Sequence, residues 1–128
     1  PASTETATVT APATAIEEAV FARLVSDMGG EFVAELIDTF LGDGRDLVTA
    51  LRSGTEGTDV DGFRRAAHSL KSNAETLGAA GLAALARELE TMARNRRLDG
   101  AALRVEPLAE EFERVVQALG EIRRGLAG

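Results

Sequence analysis

Cysteine, tryptophan and tyrosine are absent from this 128-residue chain, and five phenylalanines make up its whole aromatic content. Without cysteine there are no disulfides, thiolate metal centres or thiol nucleophiles, a composition that suits a reducing, cytoplasmic setting. No apolar run reaches bilayer-spanning length before a charge interrupts it, so no direct membrane contact is expected. The first residues lack the basic start and apolar stretch of a secretory signal. Pro1 is not an initiator methionine, and the sequence reads as a processed chain or a piece of a longer one. Positive charge is scarce: 14 basic against 21 acidic residues give a net charge of −7, which argues against nucleic acid as a partner. Lys71 is the sole lysine and His68 the sole histidine, three positions apart.

What is abundant is alanine and leucine, good helix formers with few β-branched runs between them, which favours an all-α chain of one domain. Residues 1–15 are rich in Ala, Thr and Pro with almost no large apolar side chain, and read as a flexible linker or tail preceding a domain over 16–128.

Five helical segments follow from the apolar spacing. Ile16, Val20, Leu24 and Met28 mark a short first helix ending at Gly29-Gly30. Phe32, Val33, Leu36, Ile37, Phe40 and Leu41 begin a second, resumed at Leu47, Val48 and Leu51, with Gly42 and Gly44 arguing against full regularity. The third starts at Thr58 or Asp59 as N-cap and runs to Leu77, where Gly78 ends it. Leu82, Leu85, Leu89 and Met92 define a fourth, closed by the basic stretch Arg94 to Arg97. Leu108, Phe112, Val115, Leu119, Ile122 and Leu126 define the fifth, with Pro107 either opening its regular part or kinking it. Short connections make antiparallel neighbours the simplest packing, so the expected fold is an antiparallel four-helix bundle with a short additional N-terminal helix.

The chemistry sits on the third helix. Val60, Phe63, Ala66, Ala67, Leu70, Ala74 and Leu77 gather on one side of a helical wheel, and His68 falls roughly 150° from the centre of that stripe, facing water. Arg64, Lys71, Ser72 and Glu75 share its polar face as i−4, i+3, i+4 and i+7 neighbours. A solvated surface histidine is the plain alternative. The neighbours favour more: a neutral imidazole is a competent nucleophile towards phosphorus. Once it is phosphorylated, Lys71 one turn away, with Arg64 on the other side, compensates the new negative charge. Ser72 is small enough to leave an approach open.

The run FRRAAHSLKSNAETLGAAG from Phe63 to Gly81 resembles the histidine-phosphotransfer (HPt) family, whose signature is an apolar residue, then Ala-His-x-Leu-Lys-Gly/Ser, then Leu-Gly. LAALARELE resembles the family's next helix, and FVAELIDTF and LAEEFERVVQAL its second and last, so the likeness covers roughly residues 16 to 126. It implies a phosphorelay carrier that exchanges a phosphoryl group with aspartates of response-regulator receiver domains, usually as a monomer. His68 would be phosphorylated at Nε2, with Lys71 stabilising the phosphoryl group and Ser72 at the small-residue position. No cofactor of its own is implied, the Mg²⁺ being held by the receiver's acidic pocket, which Arg64 and Arg65 would complement. Where the family often has Gln hydrogen-bonded to the other ring nitrogen, this chain has Glu90. Its carboxylate would fix the tautomer by accepting the Nδ1 proton, or else would only pair with Arg94 or Arg87 on its own helix.

Ala79, Ala80 and Gly81 serve either close helix packing or an accessible patch. The linker-like residues 1–15 suit the C-terminal module of a hybrid sensor histidine kinase, a free-standing carrier being the alternative. There is no nucleotide-binding loop for ATP chemistry, and Ser69 stands where the phosphoacceptor domain of a histidine kinase has an acidic residue. A non-catalytic helical interaction domain of the same shape is the remaining rival. A lone histidine is a poor metal constellation.

Overall fold

The computed structural model describes residues 15–56 and 58–127, and all but the last residue of the tail expected over residues 1–15 lies outside them. Five α-helices follow one another with no strand among the described residues: α1 (Glu18–Met28), α2 (Gly30–Ser53), α3 (Val60–Thr76), α4 (Ala80–Arg94) and α5 (Ala101–Ala127), with one 3₁₀ turn at Gly54–Glu56. No helix among the described residues is long and apolar enough to cross a membrane.

The register of the bundle can be read from its surface ion pairs. Asp38, Arg45 and Arg52 of α2 meet Arg123, Glu113 and Glu106 of α5, so as one number rises the other falls. Glu75 pairs with Arg87 across α3 and α4, while Asp61, earlier in α3, meets Arg96 just beyond α4. Between α4 and α5, Gly81 faces Glu111 while the later Glu88 meets the earlier Arg104, so every neighbouring pair in the ring α2–α3–α4–α5 is antiparallel, as short connections require. These exposed pairs report the register more than they stabilise it, since each contributes little in water.

Burial follows the helical periodicity with some shifts of phase. Phe63, Ala66, Ala67, Leu70 and Ala74 of α3 all face inward. On α4 the expected leucine stripe is joined by Ala83, Ala86 and Ala93, all buried. Small residues on both facing sides bring the α3 and α4 axes close enough for short polar side chains to meet across them. In α1 the stripe is displaced. Phe21 is the buried residue, whereas Val20 and Met28, expected inside, are exposed, as is Phe32 at the start of α2. Ile16 precedes the helix yet is buried, and so is Ala15, which the sequence reading assigned to the tail. The chain is tied here by a hydrogen bond from the Glu17 N–H to the Gly78 carbonyl, 2.8 Å. Gly78 is required twice over: its φ is +81°, and a Cβ would lie 3.2 Å from both the Glu17 carbonyl oxygen and Val20 Cβ.

Asp59, not Thr58, caps α3, its carboxylate accepting from the Gly62 N–H at 2.9 Å. Pro107 lies inside α5, which begins six residues earlier at Ala101 and runs on through it. Its missing N–H falls on an exposed stretch, where the freed carbonyl of Leu103 can turn to water. The α2 helix is likewise unbroken by Gly42 and Gly44, and the two glycines have different reasons to be there.

Gly42 is exposed, with nothing within 4 Å of a built Cβ; at Gly44 that atom would lie 2.5 Å from Cε1 of Phe112. The Phe112 ring is itself hemmed in by Phe40, with centroids 5.9 Å apart, and by the Arg45 guanidinium. Gly42→Ala should stabilise the fold by about 0.5–1 kcal/mol through helix propensity. Gly44→Ala should destabilise it by about 1–2 kcal/mol, because overpacking outweighs the same gain. Urea denaturation midpoints of the two variants check the opposite signs.

Candidate functional site

α3 lies between α2 and α4, and His68 stands midway along it on the outward face. Its side chain is 57% exposed, so the apolar stripe placed it correctly. One edge of the ring is nonetheless held. Nδ1 lies 2.8 Å from Oε2 of Glu90, which reaches across from α4. Glu90 is the only charged residue buried among the described residues, at 2% exposure.

Three groups converge on that carboxylate. Besides His68, Lys71 Nζ lies 2.8 Å from Oε1, and an Arg94 guanidinium nitrogen donates to Oε2 at 3.0 Å. Burial works against the charged form of Glu90. The hydrogen bonds from Lys71 and His68, together with the positive charge of the Lys71 ammonium, outweigh it and hold the carboxyl below its ordinary pKa. An ionised carboxylate can only accept, so Nδ1 carries the proton of the neutral ring. Nε2, at the far edge of the imidazole, is left with its lone pair free, and the ring borders an open cavity of about 460 Å³. The result is an imidazole with a fixed tautomer and a fixed orientation whose reactive nitrogen is accessible to a visiting molecule.

A family model, Hpt domain, matches residues 35–122. The chain belongs to the Hpt domain family. It is 30% identical over 99 residues to the phosphorelay protein LuxU of Vibrio cholerae, covering 77% of this chain and 88% of LuxU. The crystal structure of histidine-containing phosphotransfer protein B (HptB) from Pseudomonas aeruginosa PAO1 superposes with a TM-score of 0.81 at 30% identity. That match covers 88% of this chain and 96% of HptB. The helical bundle and the role of phosphorelay histidine phosphotransfer, a carrier's role more than a classical enzyme's, follow from this membership.

The other residues singled out from the sequence of this Hpt domain divide into two groups. Ser72 is exposed and lines the cavity beside His68. Arg64 is half-buried and Arg65 exposed, and neither makes an ion pair among the described residues. Glu75 is instead engaged by Arg87 at 3.3 Å, away from the ring. The pairing of Glu90 with Arg94 and its contact with His68, set against each other as alternatives in the sequence, occur together. Ala79 is fully buried, whereas Ala80 and Gly81 are exposed, with Gly81 facing Glu111 of α5.

Sequence reasoning missed the α2 wall of the cavity. Asp43, Asp46 and Leu47 line it together with Ser69 and Asn73 of α3. The signal was present in the phase of α2, where Phe32, Leu36, Asp43 and Leu47 recur at helical spacing on one face.

The Glu90 cluster makes stability depend on pH in a definite direction. A carboxyl whose folded pKa lies below its unfolded value contributes fully above the unfolded value, about 4.5, and ceases to contribute as pH falls through the folded one. Between pH 5 and 3, therefore, the wild-type domain should lose more stability than Glu90→Gln, which has no such proton to gain. At pH 7, Glu90→Ala should cost about 1–3 kcal/mol, because it strands the Lys71 ammonium, only 19% exposed, without its carboxylate. Denaturant titrations at both pH values measure both effects.

Proposed function

We propose that His68 is the residue that carries the phosphoryl group, accepting it at Nε2 from an aspartyl phosphate of a response-regulator receiver domain and donating it to another receiver. The observation that carries this reading is the Nδ1 contact to Glu90, which leaves Nε2 as the unprotonated, outward edge of the ring. In the forward step the Nε2 lone pair attacks phosphorus, the bond from phosphorus to the aspartyl oxygen breaks, and the aspartate leaves as a carboxylate. The reverse step returns phosphate to an aspartate by the same path. The Nδ1 proton stays on the ring throughout, donated to Glu90, so the positive charge that grows on the imidazole lies against a carboxylate already in place.

Lys71 has a double role in this reading. At rest it neutralises Glu90. When a phosphoryl group arrives one turn away, the same ammonium is near enough to share its charge with the new oxygens. Arg64 and Arg65 complement the acidic pocket of the receiver, which brings the Mg²⁺. Among the described residues no group of three His, Cys, Asp or Glu side chains is arranged to hold a metal.

A receiver would seat along the trough between α2 and α3. A second, smaller cavity of about 120 Å³, lined by Leu36, Phe40 and Leu77, adjoins the first and shares Asp43 and Asn73 with it. The exposed Phe32, one turn before Leu36, extends that apolar end. The Ala/Thr/Pro-rich composition of residues 1–15 supports the further reading that a tether joins this cytoplasmic domain, as a C-terminal module, to a hybrid sensor histidine kinase. An immunoblot of the native polypeptide separates that reading from a free-standing carrier. Sedimentation of a monomer would set the domain apart from the obligate dimers of kinase phosphoacceptor domains.

The decisive experiment mixes the purified domain with a receiver domain charged with radiolabelled acetyl phosphate and Mg²⁺. Label should appear on the wild-type domain in an acid-labile, base-stable form and be missing from a folded His68→Gln variant. Label on that variant at the wild-type rate would falsify the assignment. Lys71→Ala should slow transfer by about 3- to 10-fold, equivalent to ~0.7–1.4 kcal/mol. Unchanged transfer kinetics would remove Lys71 from the mechanism.

A further inference from the structure

We propose that Asp43 and Asp46 select which receiver domains exchange phosphate with this chain, favouring those that present a basic side chain to the α2 side of the imidazole. The inference rests on the reading of His68 as the phosphocarrier and adds the chemistry by which its partner is recognised.

The two sides of His68 carry opposite charge. Towards α4, the single carboxylate of Glu90 is met by Lys71 and Arg94, and Arg64 precedes the ring on that same side of α3, whereas Arg65 lies about one turn back on the side of Ser72. Towards α2, Asp43 and Asp46 border the same cavity as the ring. They stand three positions apart, hence neighbours on one helix face, both are exposed, and neither makes an ion pair among the described residues. The other side chains of the cavity, Leu47, Ser69, Ser72 and Asn73, are uncharged. A protein reaching Nε2 therefore meets a cationic edge on one side of the ring and an anionic edge on the other.

For the phosphoryl group alone the anionic edge is a handicap, because two carboxylates repel an incoming anion. A receiver already presents acidic side chains around its phosphorylated aspartate. If it also placed a carboxylate over α2, like charges would face each other in a partly desolvated interface, an arrangement that rejects partners effectively. A lysine or arginine in that place would meet two unpaired carboxylates. The cation–anion order across His68 thus fixes both the identity of an acceptable partner and the way round it docks. Charges at such a rim act mainly on the association rate and are weakened by salt.

The test compares two phosphodonors on the same variants. With Asp43→Asn/Asp46→Asn, transfer from receivers carrying a basic residue beside the phosphorylated aspartate should slow by about 3- to 10-fold at low ionic strength, the difference shrinking at about 0.5 M salt. Labelling of the same variant by phosphoramidate, a small anionic donor with no docking surface, should rise by up to about twofold, since repulsion has been removed. Opposite signs support the proposal, whereas a change of the same sign with both donors, or unaltered receiver transfer at low salt, overturns it. Asp43→Lys/Asp46→Lys supplies an independent check: its defect should be relieved by reversing the basic residue on the receiver to glutamate, and failure of that rescue also overturns the proposal. If wild-type protein and His68→Gln take up label alike, it is the phosphocarrier reading that fails; loss of selectivity with labelling intact concerns Asp43 and Asp46 alone.

Discussion

A carboxylate almost wholly withdrawn from water is the feature on which the rest of this domain turns. Ionised and alone, Glu90 would carry a desolvation cost of several kcal/mol in a bundle whose interior is otherwise aliphatic and aromatic. It is tolerated because three donors meet it: an ammonium, a guanidinium and an imidazole N–H. The same cluster that satisfies the buried charge also orients the one histidine. Nδ1 cannot leave without stranding an acceptor, so the tautomer that exposes a nucleophilic Nε2 is written into the stability of the fold.

That arrangement constrains the backbone as much as the side chains. His68 and Lys71 sit on one helix and Glu90 on its antiparallel neighbour. Sliding α4 by one turn, ~5.4 Å, would separate Glu90 from both. The alanine-lined contact between α3 and α4 is weakly specific for register on its own, since small apolar faces fit one another in several positions. A single buried polar cluster removes that freedom, a role best documented for buried polar residues in helical assemblies. Packing brings the axes close, and Glu90 decides which residues then face each other.

Much of this was legible in the linear sequence, and the reasons differ by element. α3 could be read almost completely because its apolar stripe is unambiguous and Asp59 supplies a real cap. The outward direction of His68 follows from that stripe alone. α1 was misread in phase, because Val20 is spaced like a core residue but packs at the rim against Gly78, while Phe21 takes the interior. Gly42, Gly44 and Pro107 looked like interruptions. Tertiary contacts override their local cost: Gly44 admits the Phe112 ring, and α2 and α5 are long enough to absorb the remainder. The phase of α2 puts Asp43 on one face with Phe32, Leu36 and Leu47, but that this face borders His68 depends on how α2 is set against α3, information that no single helix contains.

On the proposal that His68 carries the phosphoryl group, its two flanks also answer why a carrier would keep carboxylates beside a group that becomes strongly anionic. A site built only to hold phosphate would surround Nε2 with cations on every side, and the phosphoryl group would then be slow to leave. A carrier must release what it accepts. Cations on the α4 flank and carboxylates on the α2 flank would leave a phosphorylated His68 ring stabilised from one direction and repelled from the other. The partner that neutralises the repelling flank is then the one able to take or give the phosphoryl group, which places recognition and release in the same few side chains.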